Sequence, residues 1–594
     1  MFLRRIRPQG KGSKQTYWEL VESYRTSKGS RLRRVCYLGK LSGKEVSGWE
    51  KLSRRLDGKP EPTPGLFDPP PGDDPEFLTV DVNGVGLRDL KTFGQEYLAW
   101  TLWRLLGLDE LLKGQMSFGQ EQIPWASVAT ILCLSRFCRP SSELSIAQKF
   151  YPHSGLQEIL GIPPQQVNED RLYRGLDQLL PHKKAIERHL RQRLGELFDL
   201  SFDILLYDLT STYFEGQCAA NPMARRGYSR DSRPDCLQVV IALIVTVEGY
   251  PLGYEVFDGN TADSTTVQAI VEKVEAEHGQ SQRIWVMDRG NVSAANLEFI
   301  RRRGGQYIVG TPKAMLRQVR GELSQEGWQQ VREGIEVKVI GHAGQEQETF
   351  VLCRSENRVN KEAGMLEKFA ARMEKGLEAM KKSAGKGRLK SLLTAYMRLG
   401  RLQEQNWRAA ACFDVKLTEL DGRLEINWIK DDQKKRELCG CYLLRTNAPG
   451  TDAIKLWKQY IQLVDVEWAF RITKDELELR PVWHQHADRV KAHILVCFIA
   501  YAMWKTLSGW MHASGLGDAP RTLMDELRTI QSGEVMLPIR GADGIAGETL
   551  MIRCVTQPDE HTKVLLSRLG LHLPNHLKRY RLATPEPAAG SATP

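Results

Sequence analysis

Three carboxylates in this chain could do chemistry together. Asp208 sits in Phe202–Phe214, an otherwise apolar and hydroxyl-rich run that reads as a strand. A lone carboxylate buried in a strand is costly unless it faces a cation, a metal or water. Asp288 closes the strand-like run from Arg283 and is followed by Arg289-Gly290. It therefore stands at the C-terminal end of a strand, where open α/β sheets form their sites. Glu467 lies inside a predicted long helix, Asp452–Leu479. Tyr460, Leu463, Glu467, Arg471 and Lys474 share one stripe of that helix, beside an apolar stripe of Trp457, Ile461, Val464, Trp468 and Ile472. Each residue alone has a plainer reading. Asp208 and Asp288 could be structural, Asp288 as a strand-end turn residue, and Glu467 could pair with Arg471 at i,i+4 for a few tenths of a kcal/mol. Together they form a set of hard oxygen donors that suits Mg²⁺. Two such ions about 4 Å apart can clamp the attacking and leaving oxygens of an in-line displacement at phosphorus.

The elements that must position these residues can be read around them. Three strands are expected at Phe202–Phe214, Leu237–Val247 and Leu252–Phe257, the second buried on both faces. A helix at Thr265–Glu277, a strand at Arg283–Asp288, a helix at Ala294–Arg303 and a strand at Gln306–Gly310 follow. The order β-β-β-α-β-α-β predicts a mixed sheet with helices on its faces. Residues 311–450 interrupt it with strand-like pieces and a charged helical stretch, residues 361–390, that holds nine basic and four acidic residues. That stretch is either a solvated face or a DNA clamp. An apolar helix is expected at His493–Trp504. Trp483-His484-Gln485-His486 and His493 fit no zinc spacing and read as structural.

Charge is concentrated at one end. Residues 1–60 hold sixteen basic and five acidic residues, a net of +11, whereas the whole chain carries +10. Such an excess suits an element that meets phosphates. Within it, Thr16–Ser23 and Arg31–Gly39 flank Ser27–Ser30 and predict a basic β-hairpin. Seven prolines in residues 60–75 mark a linker. The domains expected are thus a basic DNA-binding hairpin region (1–58), a linker (59–84) and a helical domain for DNA binding or dimerisation (85–200). A catalytic core (201–310 and 451–510) follows, split by a β-rich insertion with a basic helix (311–450), and then a C-terminal region with a disordered tail (511–594). The helical domain is expected to contain helices at Phe93–Leu112, Pro124–Phe137 and Glu169–Phe198.

Composition closes off other classes. With 41% hydrophobic and 26% charged residues, a wholly disordered chain is excluded. The longest apolar runs fall short of the roughly 20 residues of a membrane span, so no membrane partner is expected. Met1–Arg7 shows no signal-like apolar run, and the eleven scattered cysteines contain no CxxC pair. Reduced, mostly buried thiols in the cytoplasm are expected.

These blocks resemble a DDE transposase of a bacterial insertion sequence, in the branch with the YREK signature and the subgroup with a basic N-terminal hairpin. The resemblance rests on Leu206–Gly216, Gly227–Asp235, Val256–Asp263, Val286–Gly290, Tyr460 through Lys474, and Arg480–His484. It implies a ribonuclease H-like mixed α/β core with a β-rich insertion, preceded by the basic hairpin and a helical domain. It implies that Asp208 bridges two Mg²⁺ ions, with Mn²⁺ able to substitute, and that Asp288 and Glu467 each complete one ion's shell. The signature falls on Tyr460, Glu467 and Lys474, but Leu463 stands where it has an arginine. Arg471, one turn beyond Glu467, is the candidate to supply that cation. The DNA-binding residues implied or suggested are Tyr460, Lys474, Arg471, Arg289, Arg230 and Arg233. The implied reaction frees 3′ ends at the element's terminal inverted repeats and joins them to target DNA. The implied partners are double-stranded DNA and a second copy of the chain, in a nucleoid-associated bacterial setting. Two other readings are a catalytically inactive DNA-binding remnant and a ribonuclease H-like nuclease that needs no inverted repeats.

Overall fold

A computed structural model describes residues 2–6, 17–26, 29–39 and 78–583, apart from 117–118, 120, 280–281, 342–347, 421–422, 449–451 and 541–545. The proline-rich stretch 60–75, the turn residues Ser27 and Lys28, and the tail Thr584–Pro594 lie outside the described residues. The chain divides into two compact units, one of residues 1–90, 532–557 and 570–594, the other of 91–531 and 558–569.

The larger unit is built on a nine-stranded mixed sheet. Its strands are β1 (Ile204–Tyr213), β2 (Gln238–Val245), β3 (Pro251–Asp258), β4 (Ile284–Met287), β5 (Gln306–Gly310), β6 (Gln329–Arg332), β7 (Ile335–Ile340), β8 (Thr349–Ser355) and β9 (Cys441–Thr446). They lie in the order β6-β7-β8-β9-β5-β4-β1-β2-β3. The β1–β4 and β4–β5 pairs are parallel, and the other neighbours are antiparallel. Strand β2, Gln238-Val-Val-Ile-Ala-Leu-Ile-Val, is buried along its whole length, as a strand covered on both faces must be. Helices Asp263–His278 and Ala294–Arg302 cover one face. Val267, Ile270, Val271, Leu297 and Ile300 pack there against Leu205, Tyr207, Leu209, Val240 and Ala242.

The segment expected as a β-rich insertion divides in two. Strands β6–β9 extend the main sheet by pairing with β5. Between β8 and β9, helices Glu356–Gly385 and Leu392–Gln405 and an antiparallel ribbon, Phe413–Leu420 with Arg423–Lys430, enclose a core of their own around Leu366, Met373, Leu377, Leu417 and Ile426.

Three expected helices differ in detail, two of them for a local reason. Phe93–Leu112 is two helices, Gly94–Leu105 and Leu108–Gln115, joined at left-handed Gly107 (φ 66°). Glu169–Phe198 breaks around Pro181 into Glu169–Leu179 and Lys183–Phe198. Asp452–Leu479 becomes α1 (Ala453–Ile461) and α2 (Leu463–Arg471), with a wider π-helical turn at Ile472–Glu476. The apolar helix is longer than expected: α3 spans Ala487–Ala513. It is long and apolar enough to cross a membrane, but 83% of its most apolar window is buried inside the protein, as in a core helix. One expected helical stretch opens on a strand instead, because Gly86–Thr92 is the edge of a four-stranded sheet with Gln531–Arg540, Ala546–Val555 and His576–Ala583.

In the smaller unit, Tyr17–Thr26 and Gly29–Gly39 pair antiparallel, and Phe2–Ile6 adds a third strand. Part of the basic excess is paired internally. Glu19 is buried beneath Arg4 and Arg34, and Arg33 reaches Glu22 at 3.1 Å.

Candidate active site

Parallel pairing of β1 with β4 sets Tyr207 opposite Met287, so residues 208 and 288 leave neighbouring strands at the same level. Strand alternation turns Tyr207 and Leu209 into the helix-covered core and Asp208 to the opposite face. Helix α2, which carries Glu467, packs on β1. Three segments far apart in sequence thereby bring their carboxylates to one region, and the charges register it. Burial and the charges of Asp288 and Glu467 push the Asp208 carboxyl up to about 7, against a backbone hydrogen bond and Arg230, which favour ionisation. Burial and Asp288 likewise raise the Glu467 carboxyl.

All donors in this set are carboxylate oxygens, and their mutual repulsion calls for a cation. Hard divalent ions fit such a set. The three do not close into a trio with all ligand atoms within 4.8 Å.

The loop before β2 supplies the basic groups. The Arg230 backbone N–H donates to Ser211 Oγ on β1 at 3.1 Å, and its guanidinium pairs with Asp263. Asp263 lies against Gly290, beside Asp288. Next in the loop, Asp231 is almost fully buried and accepts from Lys474 Nζ at 2.7 Å and from Arg480. Arg480 also reaches Asp475 at 2.7 Å. The Lys474 ammonium is therefore engaged by Asp231, and its side chain is only 8% exposed. Arg233 pairs with Asp235 and Glu215 within its own region and lies 4.9 Å over the Tyr213 ring.

Tyr460 is half-buried, and a Cβ on Gly310 would come within 2.7 Å of its hydroxyl. Burial and the charge of Asp288 raise its phenol above the usual range. Arg289 and Arg471 are exposed. Arg471 has a 67% exposed side chain, lies 4.9 Å over the Trp468 ring, and has Asp475 4.0 Å away. The stripe expected to be core is open to solvent at Val464 and at Trp468, which is 53% exposed.

Asp231, Asp263 and Arg480 lie inside the sequence blocks that carry the resemblance, without a role of their own there. Their signal is charge within otherwise apolar or glycine-rich segments, but only the fold shows which charge meets which.

Two glycines let this loop lie close to the sheet. A Cβ on Gly259 would sit 2.0 Å from the Gln238 carbonyl and 2.4 Å from that of Arg225, and one on Gly227 would sit 2.1 Å from the Gly259 carbonyl. Gly259→Ala should therefore displace the loop that carries Arg230, at a cost of about 1–3 kcal/mol. Thermal unfolding and DNA cleavage measured together should both fall; unchanged cleavage would show that the loop's placement is immaterial.

Residues 201–503 match the family model described as the transposase DDE domain. No curated protein matches the chain. Among solved structures, the chain is similar to the piggyBac transposase synaptic complex with hairpin DNA, at 8% identity over 72% of this chain and 79% of that one, with a TM-score of 0.36. It is also similar to the Mos1 transposase paired-end complex with left transposon end, at 11% identity over 32% of this chain and 60% of that one, with a TM-score of 0.14. Both scores lie below the level at which a shared fold follows.

Proposed function

The chain belongs to the transposase DDE-domain family, and from that premise we propose that Asp208, Asp288 and Glu467 are the catalytic carboxylates with which it cleaves and joins DNA. Transposition by DNA cleavage and strand transfer is the activity of the family. The observation that supports this assignment is the convergence of three mutually repelling carboxylates from β1, β4 and α2.

The reading extends to finer points. The ion is Mg²⁺, with Mn²⁺ substituting, held by Asp208, Asp288 and Glu467. Bound there, it supplies charge neutralisation of the scissile phosphate and activation of the attacking oxygen. The chain's own groups do the rest. Arg230 holds positive charge beside Asp208 through its ties to Ser211 and Asp263. Tyr460 packs beside Asp288, and Arg471 presents its guanidinium to solvent on the helix that carries Glu467. Strands β1–β5 are read as a ribonuclease H-like core of the YREK branch, from a bacterial insertion sequence. Its working form is a homodimer on two inverted-repeat ends in the cytoplasm, because both ends must be cut and joined together.

The test is strand cleavage of labelled DNA carrying the gene's flanking end, with Mg²⁺ or EDTA, for wild type and Asp288→Ala. Metal-dependent nicking at the boundary, lost in the variant, is expected. Cutting that ignores the terminal repeats would instead indicate a general nuclease, and binding without cutting, with the ends paired, a remnant.

Arg471 gives a separate prediction. As a phosphate contact, its loss in Arg471→Ala should weaken end binding about tenfold and flatten the salt dependence by about one ion, while Arg471→Lys should retain most of both. A titration of binding against salt for the three proteins decides it; a wild-type slope in Arg471→Ala would remove Arg471 from the interface.

A further inference from the structure

Away from the carboxylates of β1, β4 and α2, a second cluster has a metal-binding composition. Glu143, in the first turn after Ser142, meets His484, which precedes α3, and His493 on α3 itself. The ligand atoms of all three lie within 4.8 Å of one another. Among the described residues this is the one such trio. All three are buried, with side-chain exposures of 6% for Glu143 and 8% for His484.

The distances suit metal ligands as well as an ion pair. His484 Nε2 lies 3.4 Å from Glu143 Oε1. A charge-assisted hydrogen bond would draw such a pair to about 2.7–2.9 Å. Two ligands about 2.0–2.1 Å from a tetrahedral zinc ion are instead separated by about 3.4 Å. The buried Glu143 carboxylate has His484 as its polar partner. Arg136, close enough to act on His493, donates to the carbonyls of Glu478 (3.4 Å) and Ser141 (3.2 Å). The surroundings also hold the rings in place. Tyr173 meets His484 edge-on at 5.9 Å, and the two imidazoles lie 5.3 Å apart. The Leu479 carbonyl, 3.3 Å from His493 Nε2, can hold that ring's proton, the usual outer partner of a metal-binding imidazole. The Cys497 thiol lies 3.9 Å from that same outer nitrogen.

We propose that Glu143, His484 and His493 bind one Zn²⁺ ion that ties the helical segment after Arg139 to the chain that follows α2. The site is structural and separate from the catalytic carboxylates. Its glutamate lies far from both histidines in sequence, which is why histidine spacing alone shows no zinc pattern.

The test uses the full chain, purified from zinc-supplemented cells, and a catalytically dead variant, Asp208→Asn/Asp288→Asn/Glu467→Gln. Elemental analysis should find about one zinc per chain in both. His484→Gln and Glu143→Gln should each lose it. Adding Co²⁺ to chelator-stripped wild type should give the visible absorption of a tetrahedral ion, which keeps the test alive if the variants fold poorly. The strong chelator should also lower the melting temperature of the dead variant. Zinc absent from wild type with no cobalt spectrum, or zinc lost from the dead variant but kept by His484→Gln, overturns the proposal. Because the readout is metal content, its failure would leave the assignment of the catalytic carboxylates untouched.

Discussion

Asp208→Asn should abolish end cleavage, by at least about 10³-fold, and yet melt above wild type in EDTA near pH 8. Both effects have one source. The Asp208 carboxyl is pushed from 3.8 to about 7 by burial and by its carboxylate neighbours. Its folded value is raised, so its contribution to stability is fully present below pH 3.8 and is lost as pH rises through about 7. Near pH 8 the folded protein must hold an ionised carboxylate among others, and a neutral amide in its place relieves that. Melting curves from pH 4 to pH 9 in EDTA should converge at the acid end, separate as pH rises towards about 7 and stay apart above it, with the variant higher. Mg²⁺ should raise wild type and leave the variant almost unmoved. A variant no more stable than wild type in EDTA near pH 8 would mean that the carboxylates do not strain one another. A site that costs stability in order to bind is common where function is built.

Asp231→Ala should be the most damaging change outside the three carboxylates. It leaves Lys474 and Arg480 facing each other without their shared counter-ion, and Lys474 is buried. Removing one partner of a buried pair costs about 3–5 kcal/mol. Burial already lowers the Lys474 ammonium from its ordinary value, and Asp231 is what opposes that shift. The expected result is a large fall in melting temperature with loss of cleavage, because the same loop carries Arg230. Lys474→Met should be milder, since Arg480 still reaches Asp231. The family resemblance suggests Lys474 as a DNA contact, and the two roles separate cleanly. A phosphate contact would take about one ion from the salt dependence of binding when removed. A buried partner of Asp231 would leave that slope unchanged while lowering stability. A flattened slope at wild-type stability would return Lys474 to the DNA.

Strand order is the most legible part of the fold. Apolar runs bounded by turns locate β1 to β5 and the two helices between them to within a few residues. The pairing of β9 with β5 is not legible, because nothing local in Cys441–Thr446 tells it which edge to join. The breaks at Pro181 and Gly107 carry a local signal that the expected unbroken helices passed over, whereas between α1 and α2 Gln462 carries no breaker signal. At the candidate site, residue types suggest Asp208, Asp288 and Glu467. The Asp231 tie is invisible because a buried ion pair between residues 231 and 474 has no periodicity. Val464 and Trp468 read as core from sequence because helical spacing shows a stripe but not whether anything covers it.

The stretch between β8 and β9 leaves the sheet and returns to it at a single rung. Arg354 faces Cys441 in the ladder, and the Ser355 amide donates to the Gly440 carbonyl at 3.1 Å. At that doorway a Cβ on Gly440 would lie 2.6 Å from the Ser355 carbonyl. Residues 366–428 between them enclose an apolar centre of their own. The stretch is attached as a cartridge is, at that rung and by flanking ion pairs of Glu362 with Lys313 and Glu437 with Arg320, and its length enters the closure entropy of the sheet only logarithmically. A cartridge so attached can be lengthened, shortened or exchanged without re-registering the strands that carry Asp208 and Asp288. The chemistry and whatever this appendage grips can therefore diverge at different rates within one chain.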